Sequence, residues 1–323
     1  MNAAQPSVAI ILVNWNGWQD TIECLASLQK LNYPDFKIFV VDNGSTDGSA
    51  ARLRERRLGR VEVMETGQNL GFAGGNNVGL RKALEGNYQY FWLLNNDTTV
   101  DPEALRYLVK RLQEKPGAGI CGSTILYYGQ PSKIWALGGQ YNRWYAEGRH
   151  IGINKTFDPQ RLAAYQKLER KMDYVVGASM LVTRQFLQDI GLMCEDYFFY
   201  FEEMDWSRRS RGRYSLAYAP QSLVYHKVGT SVNKSEEKPR PFNLTADRYA
   251  TKNRLTFTLR FFPYALPVLY LSILGYIIDR ARLGAWENVG AISQITGAHF
   301  YNELLRPVGA WIKRSIGAIT SSQ

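Results

Sequence analysis

The chain has 323 residues, of which 45% are hydrophobic and 21% are charged. This balance supplies enough apolar side chains for a sizeable core and excludes a largely disordered chain. The formal net charge of +10 favours partners that carry phosphate, namely nucleic acid, a nucleotide or an anionic membrane surface, without choosing among them.

Strand-like and helix-like segments alternate along the first 115 residues. Four short apolar runs are typical of buried strands: 8–14, 37–42, 61–65 and 90–94. Four segments with helical spacing or helix caps follow them in turn: 20–31, 46–53, 76–84 and 102–112. This alternation predicts an α/β fold with a mostly parallel central sheet and helices on both faces.

Polar residues follow the end of each predicted strand. Because ligands of parallel sheets bind beyond the carboxyl ends of the strands, these residues are expected to share one rim. They are Asn14 and Asn16 at the end of the first strand, Asp42 at the end of the second, Gln68 and Asn69 after the third, and Asn95, Asn96 and Asp97 at the end of the fourth.

Two of these clusters have a specific chemical interpretation. In LLNNDTT, a carboxylate beside two amides suits a hard divalent cation that carries a diphosphate, although the same residues also favour an Asx turn. In VVDNGSTDGS, Asp42 can accept hydrogen bonds from a nucleoside, or it can close a turn. Asp47 in the same segment is interpreted as a helix cap.

The segment GQNLGFAGGNNVG is a glycine-rich loop that leads into a helix. Such loops bring backbone N–H groups close to a phosphate. It is not a GxGxxG sequence, and the turn after the first strand, NWNGWQD, has a single glycine. Both facts argue against a dinucleotide-binding dehydrogenase, and the phosphate-binding GxxxxGK[ST] sequence is absent as well.

Regular alternation fades after Pro116. Residues 120–180 are predicted to form loops and short strands over a binding face. VVGASMLVTR is predicted to form a strand and a turn. DYFFYFEEMDWSRRSRGRY is predicted to form an acidic and aromatic helix, and LAYAPQSLVYHKVG a further strand that bears His226. Residues 233–241 are charged and proline-bearing, which favours a linker.

The segment 261–278 has no charged residue, and Arg260 precedes it. Its length is marginal for a membrane span, and Pro263 and Pro267 interrupt it. The flanking arginines suit a membrane interface. Three interpretations stay open: a helix at the membrane surface, a membrane span, and a helix packed on the main domain.

Six motifs together resemble the inverting glycosyltransferases of family 2, and in particular their rhamnosyltransferase-like branch. They are VNWNG with CLASL, VVDNGSTDGS, NLGFAGGNNVG, LLNNDT, YFEEMDWSRR and VYHKVG, in that order, across about residues 1–230. The resemblance implies a GT-A domain over 1–232, followed by a C-terminal helical region over 233–323. It also implies a nucleotide-diphospho-sugar donor, with dTDP-L-rhamnose suggested by the branch, and a saccharide or polyprenyl-linked acceptor.

The resemblance also implies roles for individual residues. The metal-binding Asp-x-Asp motif of the family reads Asn95-Asn96-Asp97 here, so Asp97 is the expected ligand of Mn²⁺ or Mg²⁺, with His226 as a second ligand. The Glu-Asp pair of the family falls on Glu202-Glu203, which makes Glu203 the expected base in place of the usual aspartate. The expected donor-binding residues are Asn14, Asn16, Asp42, Asn69, Gly71, Gly74, Asn76 and Asn95.

Two neighbouring acids, Glu202 and Asp205, are candidate supporting groups. Their negative charge would raise the pKa of Glu203. Asp205 has a simpler alternative, a helical ion pair with Arg208 or Arg209.

Two other functions fit parts of the sequence. A nucleic-acid-binding protein would explain the charge, but the helix-turn-helix, zinc and RNP signatures are missing, so no nucleic acid partner is expected. A non-catalytic sugar-nucleotide binder would not need Glu203. Three well-separated cysteines, Cys24, Cys121 and Cys194, indicate reduced thiols, and the N-terminus lacks a signal-peptide pattern. We therefore expect a cytoplasmic protein, peripheral to the inner face of the plasma membrane.

Overall fold

The computed structural model describes residues 5–227 and 242–306. The chain divides into two compact units, Met1–Tyr141 with Gly148–Glu237, and Asn142–Glu147 with Lys238–Gln323. The predicted boundary between 232 and 233 and the predicted linker 233–241 both lie outside the described residues. The predicted domain division therefore stays a prediction. That residues 142–147 group with the C-terminal unit could not be predicted from the sequence.

The first unit is built on a nine-stranded sheet with the order β3-β2-β1-β4-β10-β6-β11-β5, in which β7 pairs with β6. The sheet strands are β1 Val8–Asn14, β2 Phe36–Asp42, β3 Val61–Glu65, β4 Tyr90–Asn95, β5 Thr98–Val100, β6 Ala118–Tyr127, β7 Gln130–Ala136, β10 Ser179–Thr183 and β11 Ser215–His226. A separate hairpin is formed by β8 Gly139–Asn142 and β9 Glu147–His150.

The four predicted strands are confirmed, and they pair in parallel. Beyond β4 the sheet is mixed: β10 is antiparallel to both β4 and β6, whereas β11 is parallel to β6. The prediction of loops and short strands over 120–180 is wrong for β6, which is ten residues long.

The helices of the first unit are α1 Trp18–Leu28, α2 Ser49–Glu55, α3 Gly71–Leu84, α4 Ala104–Glu114, α5 Leu162–Gln166, α6 Arg184–Ile190 and α7 Glu202–Arg209. Two apolar clusters cover the two faces of the sheet. Leu25 of α1, Leu53 of α2 and Leu108 of α4 belong to one, and Leu80 of α3 and Phe186 of α6 belong to the other. The predicted arrangement of helices on both faces is therefore confirmed.

Two predicted helix starts are wrong. α3 begins at Gly71 rather than at Asn76, so much of the glycine-rich segment is helical. The helix expected to include the aromatic run begins only at Glu202, because Tyr200 and Phe201 have left-handed backbone angles, with φ of 72° and 78°. The aromatic run is therefore a loop that leads into α7.

The described part of the second unit contains α8 Leu244–Phe261, α9 Leu266–Arg282 and α10 Trp286–Phe300. Among the described residues, one helical segment, Pro263–Arg282, is long and apolar enough to cross a membrane. Its mean hydropathy is 1.2, and 22% of the apolar window is buried. The predicted C-terminal helices are confirmed, whereas membrane association stays a prediction.

Candidate functional site

The carboxyl ends of β1, β2 and β4 lie side by side. In the strand register Asn14 is opposite Asp42, and Val13 is opposite Asn95. Asn14 and Asp42 are almost fully buried. The rim expected from the strand-end rule therefore exists, and its polar residues are adjacent.

Hydrogen bonds through Ser45 fix the β1 end of the rim. The Ser45 Oγ atom accepts from the Asn14 side chain at 3.1 Å and from the Asn16 backbone N–H at 2.9 Å. Asn14 Oδ1 also accepts from the Thr21 hydroxyl at 2.8 Å. Asn16 has a φ of 50°, and its Oδ1 accepts from the Thr46 N–H at 2.8 Å. These hydrogen bonds fix the conformation of the loops that follow β1 and β2.

Asn43 joins the rim to the glycine-rich segment, a role that the sequence did not reveal. Its Nδ2 donates to Asn69 Oδ1 at 3.1 Å and to the Gly71 carbonyl at 3.0 Å, and its Oδ1 accepts from the Leu70 N–H at 3.1 Å. The neighbouring Gly44 is required, because a Cβ there would lie 2.4 Å from backbone of the facing loop. Asn69 and Gly71 are thereby held beside the end of β2.

The first turn of α3 contacts the aromatic loop that precedes α7. The Phe72 N–H donates to the Phe198 carbonyl at 2.8 Å. Gly71 has a φ of +73°, and a Cβ there would lie 2.2 Å from the same carbonyl oxygen. Gly74 and Asn76, by contrast, lie within the helix, where Asn76 donates to the Phe72 carbonyl. The contacts of Gly74 and Asn76 give no support to their predicted donor-binding role.

Asp97 and His226 meet at the edge of this rim. His226 Nε2 lies 3.1 Å from Asp97 Oδ1, and both side chains are 7% exposed. Two cis ligands of an octahedral ion with bonds of about 2.1 Å would be separated by about 3 Å. The pair therefore has the spacing and the oxygen and imidazole donors that a divalent cation such as Mn²⁺ accepts.

Two further atoms near these ligands are buried without a hydrogen-bond partner among the described residues. They are His226 Nδ1 and Asn95 Oδ1. In residues 5–227 and 242–306 no group of three or more His, Cys, Asp or Glu side chains could hold a metal. A two-ligand site still fits Mg²⁺ or Mn²⁺, because such ions take much of their coordination from substrate phosphates and water.

Trp135 packs against two imidazoles. Its ring centroid is 4.5 Å from that of His226 and 4.4 Å from that of His150, both edge to face. Burial and the neighbouring His226 lower the pKa of His150. Sequence reasoning missed this cluster, because β7, β9 and β11 come together only in the fold.

Glu202 and Glu203 begin α7, and each has an Oε2 atom that is buried without a partner among the described residues. Burial, and then the charge of Glu203, raises the pKa of Glu202 well above its ordinary value. Burial raises the pKa of Glu203 to about 7, although backbone N–H groups oppose this shift. The main cause of the raised Glu203 pKa is therefore burial, rather than the neighbouring negative charge expected from the sequence.

Asp205 forms the ion pair within α7 that was one of its two predicted roles. Its Oδ1 accepts from Arg209 Nε at 2.5 Å, and the guanidinium also donates to the carbonyls of Ile190 and Leu192. Asp205 thus helps to fix α7 to the loop after α6.

Glu203 lies close to the end of β4 through the turn that precedes β10. A Cβ on Gly177 would lie 3.9 Å from Glu203 Cδ, and the next residue, Ala178, accepts from the Asn95 N–H at 3.1 Å. Met204 and Trp135 both pack against one buried apolar cluster, which includes Ala178. One continuous set of contacts therefore joins the acids of α7, the end of β4 and the ring that packs on His226.

Known proteins with similar sequences and folds show the family and the fold class of the chain. The chain is 26% identical over 113 residues to the poly-β-1,6-N-acetyl-D-glucosamine synthase of Staphylococcus epidermidis, which covers 35% of this chain and 27% of that relative. It is 24% identical to the N-acetylglucosaminyl-diphospho-decaprenol L-rhamnosyltransferase of Mycobacterium tuberculosis (strain CDC 1551 / Oshkosh), over 65% of this chain and 72% of that one.

The fold is similar to that of a mannosyltransferase from Pyrobaculum calidifontis, solved with GDP-Man and Mn²⁺. The TM-score is 0.55 at 14% sequence identity, and the match covers 94% of this chain and 89% of that one. This similarity confirms the predicted GT-A fold. The sequence model described as "Glycosyl transferase family 2" matches residues 9–190, more than half of the chain. The chain therefore belongs to glycosyltransferase family 2.

Proposed function

We propose that the chain is an inverting, metal-dependent glycosyltransferase that moves a sugar from a nucleoside diphosphate to a hydroxyl of a saccharide or lipid-linked saccharide. The observation that carries the proposal is Glu203. It is a carboxyl with one enclosed oxygen, and its pKa is raised to about 7. It lies next to Gly177, and the following residue, Ala178, is hydrogen-bonded to Asn95 at the end of β4. A general base is most effective when its pKa is near the working pH.

In the proposed reaction, the ionised Glu203 accepts the proton of the acceptor hydroxyl. The acceptor oxygen forms a bond to the anomeric carbon of the donor sugar. The bond from that carbon to the diphosphate oxygen breaks, and its electron pair leaves with the diphosphate. Since attack and departure occur on opposite faces of the carbon, the anomeric configuration inverts.

Asp97 and His226 would hold Mn²⁺ or Mg²⁺. The support is the 3.1 Å spacing of their facing atoms and the mixed oxygen and nitrogen donor set. A bound ion would offset the negative charge that grows on the leaving diphosphate. With Asp97 fixed just after β4 and His226 at the end of β11, the chain presents both donors on one side of the rim.

The donor would lie along the rim formed by Asn14, Asn16, Asp42, Asn69, Gly71 and Asn95. Its sugar is proposed to be L-rhamnose from dTDP-L-rhamnose, supported by the branch resemblance and by the name of the mycobacterial relative. That relative's name includes a decaprenol-linked acceptor, which supports a polyprenyl-linked acceptor here. The enzyme would then work on cell-surface polysaccharide in the cytoplasm, at the inner face of the plasma membrane.

Replacement of each acid by its amide tests the role of Glu203. Glu203→Gln is expected to bind the donor as the wild type does but to turn over at least about 100-fold more slowly, the usual scale for loss of a general base. Glu202→Gln is the matched control, because Glu202 is one residue away and its side chain is buried. A near-normal rate for Glu203→Gln, or an equal loss in both variants, would contradict the proposal.

A further inference from the structure

The inward side of α9 is fixed within the second unit. Leu266, Leu269 and Ile273 are at most 4% exposed, and Tyr276 and Arg280 continue the same side at helical spacing. The apolar and polar parts of this side together define how α9 is rotated about its own axis.

A buried polar network sets this rotation. Asp247 of α8 accepts from Arg280 Nε at 2.9 Å, from the Tyr276 hydroxyl at 2.8 Å and from the Asn288 side chain of α10 at 2.8 Å. Burial raises the pKa of Asp247, but Arg280, Tyr276 and Asn288 outweigh it, and the net pKa lies below its ordinary value. Because a buried charge that loses its partner is costly, the three helices are expected to move as one.

The opposite side of α9 is apolar, and in the part of the chain that the structure describes it is largely exposed. We define the outward face as Pro267, Leu271, Leu274 and Ile278, which follow each other at helical spacing. The last three are 70%, 52% and 43% exposed. A helix that is exposed to water normally carries polar residues on this side, so an apolar partner is expected to cover the outward face.

Aromatic and basic residues lie at both ends of the outward face. At its start Tyr264 is 55% exposed and meets the ring of Trp144 edge to face at 5.7 Å, and Arg143 lies over Trp144. Beyond its end, Trp286 is 67% exposed, and the Arg282 side chain is 76% exposed, with the exposed Asp279 carboxylate 3.8 Å from it. Aromatic rings at the rim of an aliphatic stripe are typical of membrane interfaces, and basic side chains complement anionic lipid.

We propose that the outward face of α9 lies in the plane of an anionic bilayer surface, with its side chains in the headgroup boundary and α8 on the aqueous side. This inference rests on the proposed lipid-linked acceptor, which it would bring within reach. Between a helix at the membrane surface and a membrane span, both of which the sequence left open, it favours the surface helix. A membrane span would carry the Asp247–Arg280 pair and the basic helix α8 towards hydrocarbon, which is costly.

Vesicle co-sedimentation of the full chain tests this inference. The wild type is expected to pellet with phosphatidylglycerol-containing vesicles at moderate salt, more weakly with pure phosphatidylcholine, and to be released by alkaline carbonate, which leaves spanning proteins in place. The variant with Leu271→Glu and Leu274→Glu is expected to bind anionic vesicles at least tenfold more weakly. Ile153→Glu is the matched control, an exposed apolar residue of the first unit (40% exposed), and is expected to bind as the wild type.

Three results would overturn the inference: a wild type that stays in solution at low salt, a double variant that still pellets, or resistance to carbonate. Wild-type self-association that the double variant loses, without vesicle binding, would make the outward face a dimer surface instead. Mn²⁺-dependent binding of dTDP-L-rhamnose to the same preparations separates the two proposals. If the protein binds the nucleotide sugar but not vesicles, only the membrane-docking inference is contradicted. If it binds vesicles but not the nucleotide sugar, only the proposed function is contradicted.

Discussion

Replacing Glu203 with glutamine is expected to stabilise the protein at alkaline pH and to have a much smaller effect at pH 5. The pKa of the folded-state carboxyl is raised from an ordinary 4.5 to about 7. Between these values the folded protein holds a proton that the unfolded chain has lost. The free energy of unfolding therefore falls as pH rises through this window. The loss of stability caused by ionised Glu203 reaches its full size above about pH 7.

The size of the effect follows from the same shift. With about 1.4 kcal/mol for each pKa unit, ionised Glu203 costs up to about 3 kcal/mol at pH 8 and less than about 1 kcal/mol at pH 5. For a domain of this size, about 1 kcal/mol moves the melting temperature by roughly 2–4 °C. Glu203→Gln is therefore expected to raise the melting temperature by up to roughly 6–12 °C at pH 8, and by no more than roughly 3 °C at pH 5.

Scanning calorimetry of the wild type and the variant at the two pH values measures this difference. Glu55→Gln is a suitable control, because Glu55 is an exposed glutamate at the end of α2, and it is expected to change neither melting temperature by more than about 1 °C. Equal melting shifts for Glu203→Gln at pH 5 and pH 8, or destabilisation at pH 8, would refute the argument that burial raises the Glu203 pKa.

Two other predictions concern Gly71, at the start of α3, and Glu203. Gly71→Ala is expected to lower stability at least twice as much as Gly67→Ala, since both glycines have φ near +75° but only at Gly71 would the added Cβ meet another atom, the Phe198 carbonyl oxygen at 2.2 Å; thermal melting would measure this, and equal losses would argue against the close contact. The ratio kcat/KM is expected to rise with pH through about 7 as Glu203 of the free enzyme loses its proton, and a flat kcat/KM profile from pH 5.5 to 8 would argue against Glu203 as the base.

The adjacency of the polar strand ends could be predicted from the sequence because it follows from local rules. Buried strands read as apolar runs, parallel strands end at one edge, and the residue after each run is polar. In the structure, Asn14 is in register with Asp42 and Val13 with Asn95, so these strand ends are adjacent.

The ten-residue strand β6 could not be recognised in this way. Its sequence, AGICGSTILY, contains two glycines that weaken any strand pattern. In the fold they make room for neighbours: a Cβ on Gly119 would lie 2.3 Å from the Phe186 ring, and one on Gly122 would lie 2.9 Å from Val175. The reason for these glycines becomes visible only once α6 and the segment before β10 are in place.

The aromatic cluster around Trp135 and the loop before α7 could not be predicted, because both depend on contacts between residues far apart in the sequence. Trp135, His150 and His226 come from three strands that are far apart in sequence, and no spacing links them. The left-handed angle of Phe201 is set by its surroundings, where its ring stacks near Tyr197 and meets Tyr141 edge to face. Sequence reasoning found the acids of α7 but not the loop that presents them.

A metal held by Asp97 and His226 is expected to be needed for binding of a sugar nucleotide at the rim of the sheet. A thermal-shift panel of sugar nucleotides, with Mn²⁺ or with chelator, on the wild type and on Asp97→Ala tests it most directly. We expect dTDP-L-rhamnose with Mn²⁺ to raise the melting temperature of the wild type, and we expect either chelator or Asp97→Ala to abolish this rise without unfolding the protein. A rise that persists unchanged in Asp97→Ala, or the absence of a response to every sugar nucleotide, would contradict the claim.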